Sequence, residues 1–358
     1  MVDRTRQAIP DPGWRWQLAV ACIGMLLACV FPASAWCTAS PATATTSATP
    51  VPLVSKGKLL QQLQSETGLS ATDLRPALDS ARFEPSVIIR METPYEARPY
   101  AEYRPLFVRK KLAELGRQYL HKHRAIFRAA WKRYGVEPAV IAAILAIETH
   151  FGERQGKDRV LDSLYTLATG YPRRADFFRK QLGDYLKLCH AENLDPTSII
   201  GSYAGAFGVP QFIPSSYMSY AVDGNGDGRR DVWHSPRDII FSVANYFHQN
   251  GWQPHLPVAR WLSREPVSKA LLAQRSKEMQ DWQPLQKMYA EGLEKLPASW
   301  HKTDAAALIT MRPGDHDRTA VVSHNFYVIT RWNRSYNYAM ATTELAHLMG
   351  CGPCGTGL

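Results

Sequence analysis

The stretch AILAIETHFG, residues 143–152, closes an apolar run with a glutamate, followed by threonine, histidine, phenylalanine and glycine. Ile141, Ile144 and Leu145 share one helical face, and Glu148 continues it at i+7, i+4 and i+3 spacing. Its carboxyl is therefore directed toward the core, where a carboxylate is costly unless it is paired, protonated or used. Desolvation on an apolar wall raises a carboxyl pKa, which suits a general acid at neutral pH. A helix-end glutamate paired with an arginine fits the same pattern. Glycosidases normally place two carboxyl groups about the scissile bond. Glu153 lies five residues on, about 140° round an ideal helix, so it shares the face only if the helix ends first. Asp162, in VLDSL, suits a helix-capping role equally well. No obvious second acid accompanies Glu148.

Two other stretches have chemical content. In GSYAGAFGVPQFIPSSY, residues 201–217, small residues permit close approach of a ligand or backbone. Ser202 and Gln211 there supply neutral hydrogen bonds suited to sugar hydroxyls and amides. The order Gly-Lys-Ser of a phosphate loop is absent. DGNGDGRRDVWH, residues 223–234, resembles the start of an EF-hand loop. Asp223, Asn225 and Asp227 occupy positions 1, 3 and 5, Gly228 the sharp turn, and Arg229 offers its carbonyl. Position 12 is His234, a poor ligand for a hard cation, so Asp231 or Asp238 would have to substitute. An Asx-rich turn without metal is the competing reading.

The elements that must position these residues are mostly helical. KLLQQLQSETGLSATDLRPALDSA predicts two short helices, with Ser70 and Thr72 near the start of the second. A less regular stretch rich in Pro and Tyr follows to about Arg104. Helix formers dominate from Phe107 to Lys132, and Pro138 opens the helix that ends near Gly152. RVLDSLYTLAT and RADFFRKQLGDYLKLCHAE have helical periodicity and are joined by the turn GYPRR. PRDIIFSVANYFHQNGW predicts another helix, closed by Gly251, and only AVVSHNFYVITRW, residues 320–332, has strand character. The expectation is a mainly helical protein with a small β element and no internal repeat.

The chain has 358 residues and a formal charge of +10, with pI near 9.3. That balance suits an anionic partner: an acidic polymer, a membrane surface or nucleic acid. Nucleic acid is disfavoured, because there is no basic tail, zinc-finger spacing or RNA-binding signature. Arg4, Arg6 and Arg15 precede an apolar stretch, Leu18 to Phe31, with a small-x-small site at Ala33-Ser34-Ala35. This reads as an export signal over residues 1–35, cleaved after Ala35. LLAC, with Cys29 as an acylated lipoprotein cysteine, is the rival, and an uncleaved anchor a third reading. All three place the body of the protein outside the cytoplasm. Residues 36–55 read as a low-complexity linker, and 349–358 as a flexible tail. Cys351 and Cys354 form CGPC, but without the strand before and helix after that a thioredoxin site needs. A short-range disulfide or idle thiols is expected there; Cys37 and Cys189 complete the set after Ala35.

Together, AILAIETHFG, YPRRADFF, GSYAGAFGVPQFIPSSYMSYAVDGNGDG, SVANYF and NFYVITRWNRSYNYAMA resemble the lytic murein transglycosylase B family. Five blocks in one order, from about Lys58 to about Leu348, make the resemblance specific. It implies an α+β, mainly helical fold: a lysozyme-like core, about 100–255 plus 320–348, with an added helical region. A small α/β insertion, about 256–319, would complete the catalytic region of residues 56–348. It further implies periplasmic cleavage of peptidoglycan between N-acetylmuramic acid (MurNAc) and N-acetylglucosamine (GlcNAc). A lone glutamate, here Glu148, would serve as acid and then base. The muramic 6-hydroxyl would attack its own anomeric carbon, giving a 1,6-anhydro end without water. The absent second carboxylate is then expected. The matching substrate-binding residues are Tyr103, Arg173, Arg174, Ser202, Gln211, Tyr246, Trp332 and Tyr338. Trp332 departs from the family's frequent tyrosine, which removes a hydroxyl. No catalytic cofactor is implied. A structural Ca2+ would use Asp223, Asn225, Asp227, the Arg229 carbonyl and Asp238, with one extra residue after Trp233. Two rivals remain: a lysozyme-like hydrolase using water with Glu148 and Asp162, and an inactive peptidoglycan-binding scaffold.

Overall fold

The computed structural model describes residues 50–92, 98–275, 279 and 282–350. The expected export signal, most of the linker, and Cys29, Ala35, Cys37, Cys351 and Cys354 lie outside the described residues. Helix α1 (Lys56–Thr67) starts at Ser55, which accepts the Lys58 N–H, and α2 (Ala71–Ser80) starts with a capping box between Ser70 and Asp73. The stretch expected to be irregular contains two helices, α3 (Pro85–Glu92) and α4 (Tyr100–Phe107). Pro85 opens α3 and Pro99 precedes α4, positions where a missing N–H costs nothing. The helix-forming stretch from Phe107 to Lys132 holds two helices, α5 (Lys110–Lys122) and α6 (Arg124–Tyr134), because the backbone leaves helical geometry at His123.

Helix α7 (Pro138–Thr149) is buried from Ala139 through Thr149, as suits a helix apolar on all sides. It stops because His150, Phe151 and Gly152 all take positive φ, and the His150 and Phe151 N–H groups close on the carbonyls of Ala146 and Leu145. The helix thus ends one residue after Glu148, and Glu153 lies exposed beyond it. Helices α8 (Val160–Gly170) and α9 (Ala175–Ala191) pack together and are joined by a 3-10 turn, Pro172–Arg174. A small antiparallel pair, β1 (Asp158–Arg159) with β2 (Ile200–Gly201), leads into the Ser202–Gln211 loop. Gly156 takes φ +100°, and a Cβ there would sit 2.0 Å from the Gly201 carbonyl oxygen, so only glycine lets the strands close. Helices α10 (Pro214–Tyr220) and α11 (Pro236–Gln249) flank the expected cation loop.

A second, antiparallel sheet has the order β3 (Ala259–Trp261), β6 (Arg318–Ser323), β5 (Ala305–Met311), β4 (Gln283–Pro284). Two short helices, α12 (Lys269–Ala273) and α13 (Leu285–Ala290), accompany it, and Leu262, Leu285, Trp300, Leu308 and Val321 form a small core. The strand expected over 320–332 holds only to Ser323. There the Ser323 hydroxyl accepts the Asn325 N–H and starts α14 (His324–Trp332). Phe326, Ile329 and Thr330 repeat at i, i+3, i+4, so tertiary burial overrides the strand preference of their types. Helix α15 (Tyr336–Leu348) then packs against α7 and α4. Glu344, 1% exposed, accepts from Arg104 of α4 at 2.6 Å and from Trp261 Nε1 of β3 at 2.9 Å, tying three elements together.

Candidate active site

Glu148 sits in the last turn of α7 with 6% of its surface exposed. Its Oε1 accepts two hydrogen bonds, from Tyr338 Oη of α15 at 2.6 Å and from Trp332 Nε1 of α14 at 2.9 Å. The indole N–H thus gives the glutamate a donor despite the loss of the expected tyrosine hydroxyl. Tyr338 is wholly buried, and burial, with the Glu148 charge adding to it, holds its phenol well above the ordinary 10.0. It is a permanent donor to the carboxyl. Tyr103, buried on α4 beside Phe107, lies within electrostatic reach of Tyr338.

Trp332 is fixed by an aromatic nest. Its ring is nearly parallel to Phe247 at 5.6 Å, meets Tyr246 edge-on at 4.7 Å, and touches Phe212 at 5.3 Å. Tyr246 is itself braced by Tyr220, and burial raises its phenol. The loop after β2 supplies Phe212, and its local bonds explain its shape. The buried Ser202 hydroxyl accepts the Ala206 N–H, and the Thr149 hydroxyl, next to Glu148, donates to the Val209 carbonyl. Gln211, at positive φ, donates from Nε2 to the Gln155 and Gly208 carbonyls. The structure therefore brings Glu148, Trp332, Tyr338, Tyr246 and Tyr103 together. Ser202 and Gln211 brace the loop that borders them.

Arg173 and Arg174 form the turn before α9; Arg173 is exposed, and Arg174 stacks over Phe177 at 4.1 Å. Burial lowers the Arg174 guanidinium from its usual range, and Arg334, just beyond Trp332, pushes the same way. Sequence reasoning missed Arg334, and it missed Phe212 and Phe247 as supports of Trp332. The adjacency of Arg331, Trp332 and Arg334 was the signal available for the first. Asp162, the rival second acid, is committed elsewhere: it accepts the Arg82 N–H at 2.9 Å and pairs with Arg159 at 3.3 Å.

In the expected cation loop, Asp223 accepts the N–H groups of Gly226, Asp227 and Gly228, which lowers its carboxyl pKa. Asn225 donates to Asp227, and Asp227 accepts the Arg229 N–H. Asp238, fully buried on α11, spans the loop by accepting from Gly224 and Asp231. His234 is exposed beside Asp231. Among the described residues no three His, Cys, Asp or Glu side chains converge as a metal site. The oxygen donors suit a hard cation, and Gly226 and Gly228 at positive φ give the required turn. The buried Cys189 is unpaired, and burial pushes its thiol up to about 12.

A buried carboxyl at a helix end, two donors on its Oε1 and an aromatic wall define a lysozyme-like, glycan-cleaving class of protein. The chain belongs to the transglycosylase SLT domain family, whose pattern matches residues 55–347. It is 36% identical over 247 residues to the membrane-bound lytic murein transglycosylase B of Escherichia coli K12, covering 69% of this chain. The match spans 66% of that relative's length, just under two thirds. Among solved structures, soluble lytic transglycosylase SltB1 of Pseudomonas aeruginosa superposes with TM-score 0.75 at 34% identity, covering 82% of this chain and 97% of its own. E. coli SLT35, in complex with calcium, gives 0.73 at 32%, covering 82% and 92%. P. aeruginosa SltB3, in complex with NAG-anhNAM-pentapeptide, gives 0.74 at 30%, covering 83% and 79%. The fold is mainly helical and lysozyme-like, as the resemblance implied.

Proposed function

We propose that this chain is a peptidoglycan lytic transglycosylase in which Glu148 is the sole acid and base. Protonated Glu148 gives its proton to the glycosidic oxygen as the bond from the MurNAc anomeric carbon breaks. The resulting carboxylate takes the proton of the muramic 6-hydroxyl as that oxygen bonds to the same carbon. The glutamate is restored, a 1,6-anhydro end forms, and no water enters. Intramolecular attack supplies the proximity that a second carboxylate would otherwise provide. The carrying observation is Glu148 itself, buried and donor-held at Oε1 while Asp162 is engaged elsewhere. A relative solved with an anhydro-sugar peptide supports the same product.

Tyr103, Ser202, Gln211, Tyr246, Trp332 and Tyr338 shape the cleft in this reading. Arg173 and Arg174 meet the lactyl or peptide carboxylates. The reading takes residues 56–348 as one catalytic region with the 256–319 sheet segment as an insertion. Ca2+ at Asp223, Asn225, Asp227, the Arg229 carbonyl and Asp238 would tie the loop and leave the chemistry untouched. Export to the periplasm, with or without acylation at Cys29, accords with the substrate. Among the described residues no helix is long and apolar enough to cross a membrane. The test is mass spectrometry of sacculi digested by the wild type and by Glu148→Gln. Anhydro-muropeptides are expected from the former and none from the latter. Reducing ends without anhydro products would instead establish a hydrolase.

A further inference from the structure

The chain's positive charge is concentrated in one place. Between Arg109 and Arg133 stand nine Lys or Arg and a single acid, Glu114, so this stretch contributes +8 of the overall +10. All nine cations are exposed on and around α5 and α6. Glu114 is engaged locally by Arg117. On α6, Arg124, Arg128 and Lys132 recur at i, i+4 and i+8 and form one stripe.

That stripe borders a cavity of roughly 490 Å3. Leu120, Phe127, Trp131 and Pro138 line it with apolar surface, while Arg124 and Arg128 stand exposed at its edge. Glu137, the lining acid, is turned inward to Trp252 Nε1 and the His255 N–H. A face meant only for solvation does not need an apolar, aromatic-lined hollow beside two arginines. A polyanionic chain needs charge but no apolar hollow. An amphiphile with an anionic head and a hydrocarbon body uses both.

We infer that the α5–α6 face docks the protein on an anionic lipid bilayer, with a headgroup phosphate between Arg124 and Arg128 and apolar chain in the hollow. Glu137 stands at the opposite end of α7 from Glu148, about 16 Å away along the helix axis at 1.5 Å per residue. The hollow that takes the lipid therefore lies a helix length from Glu148, and binding there does not depend on the reaction assigned to Glu148.

The test is co-sedimentation of the chain expressed with Cys29→Ser to block acylation, and purified after removal of its export signal, with two kinds of vesicle. One is phosphatidylcholine alone; the other contains about a third phosphatidylglycerol. Binding is expected only to the anionic vesicles, weakening as salt is raised. Arg124→Glu with Arg128→Glu should reduce it at least about tenfold. Lys at both positions should retain most of it, and Trp131→Ala should weaken it at unchanged charge. The thermal midpoint and cleavage of soluble glycan fragments should stay at wild-type levels in the charge variants. Equal binding to both vesicles overturns the inference, as does unchanged binding by the Glu variant. Loss of binding to sacculi with vesicle binding intact would also overturn it, and would assign the face to peptide carboxylates.

Discussion

Tyr338→Phe and Trp332→Phe each remove one donor from Glu148 Oε1 and leave an aromatic ring in place. A hydrogen bond to a charged group contributes about 1.5–3 kcal/mol. At about 1.4 kcal/mol per decade, either loss should lower kcat/KM by roughly 10- to 100-fold. The Tyr338 change should be the more severe, since its bond is shorter and its hydroxyl is wholly buried. The two donors share one oxygen, so each partly compensates for the other's absence. The double variant should therefore cost more than the sum of the singles, because only then does the buried Oε1 lose both donors. Both donors favour the carboxylate over the acid. Their removal should carry the alkaline limb of the kcat/KM profile to higher pH while lowering its height. The assay is release of anhydro-muropeptides from a defined glycan across pH, with thermal midpoints to separate lost structure from lost chemistry. If Tyr338→Phe keeps kcat/KM within about twofold while Glu148→Gln is inactive, the donor pair does not organise the acid and the reasoning fails.

Further predictions concern the frame. Glu344→Ala strands Arg104 and Trp261 Nε1 and should cost about 2–3 kcal/mol in chemical denaturation, below a fully buried pair because Arg104 is 33% exposed. Gly156→Ala forces a Cβ onto the Gly201 carbonyl and should cost at least about 2 kcal/mol, displacing the Ser202 loop and lowering activity with it. Ca2+ at 100 times its Kd should stabilise the fold by about 2.7 kcal/mol. Asp238→Asn should remove that gain in calorimetry, and no midpoint shift with Ca2+ in the wild type would refute a cation there. Burial raises the Glu137 carboxyl above its ordinary 4.5. Its contribution to stability is whole below that value and is lost as pH rises through the folded-state pKa. Glu137→Gln should flatten that part of the midpoint-against-pH curve.

Glu148 was legible because its evidence is local: three apolar neighbours at helical spacing point it inward. Its partners were legible only through the family resemblance, since Trp332 and Tyr338 lie 184 and 190 residues away and no short-range pattern couples them to α7. The segment holding Trp332 was also read as a strand past Ser323. Its β-branched and aromatic residues have that preference, and the cap at Ser323 lacks the acid at the third helical position that would have announced a helix. Pro85 and Pro99 misled for a related reason, because composition marks proline as a breaker while only position shows that it opens or precedes a helix.

Trp332 shows how these levels connect. As a letter in the sequence it was a departure, an indole where a hydroxyl was expected. In the fold, Phe247, Tyr246 and Phe212 fix the ring from three sides, which leaves its one polar atom directed at Glu148. A ring so held delivers its N–H with little loss of entropy, whereas a mobile donor would have to be ordered in each turnover. Restoring tyrosine by Trp332→Tyr therefore should not improve the enzyme. The smaller ring leaves part of the nest unfilled, at a cost of about 1–3 kcal/mol in stability, and moves the donor. Activity equal to or above wild type in that variant would mean that hydroxyl chemistry, not the fixed position of the donor, governs Glu148.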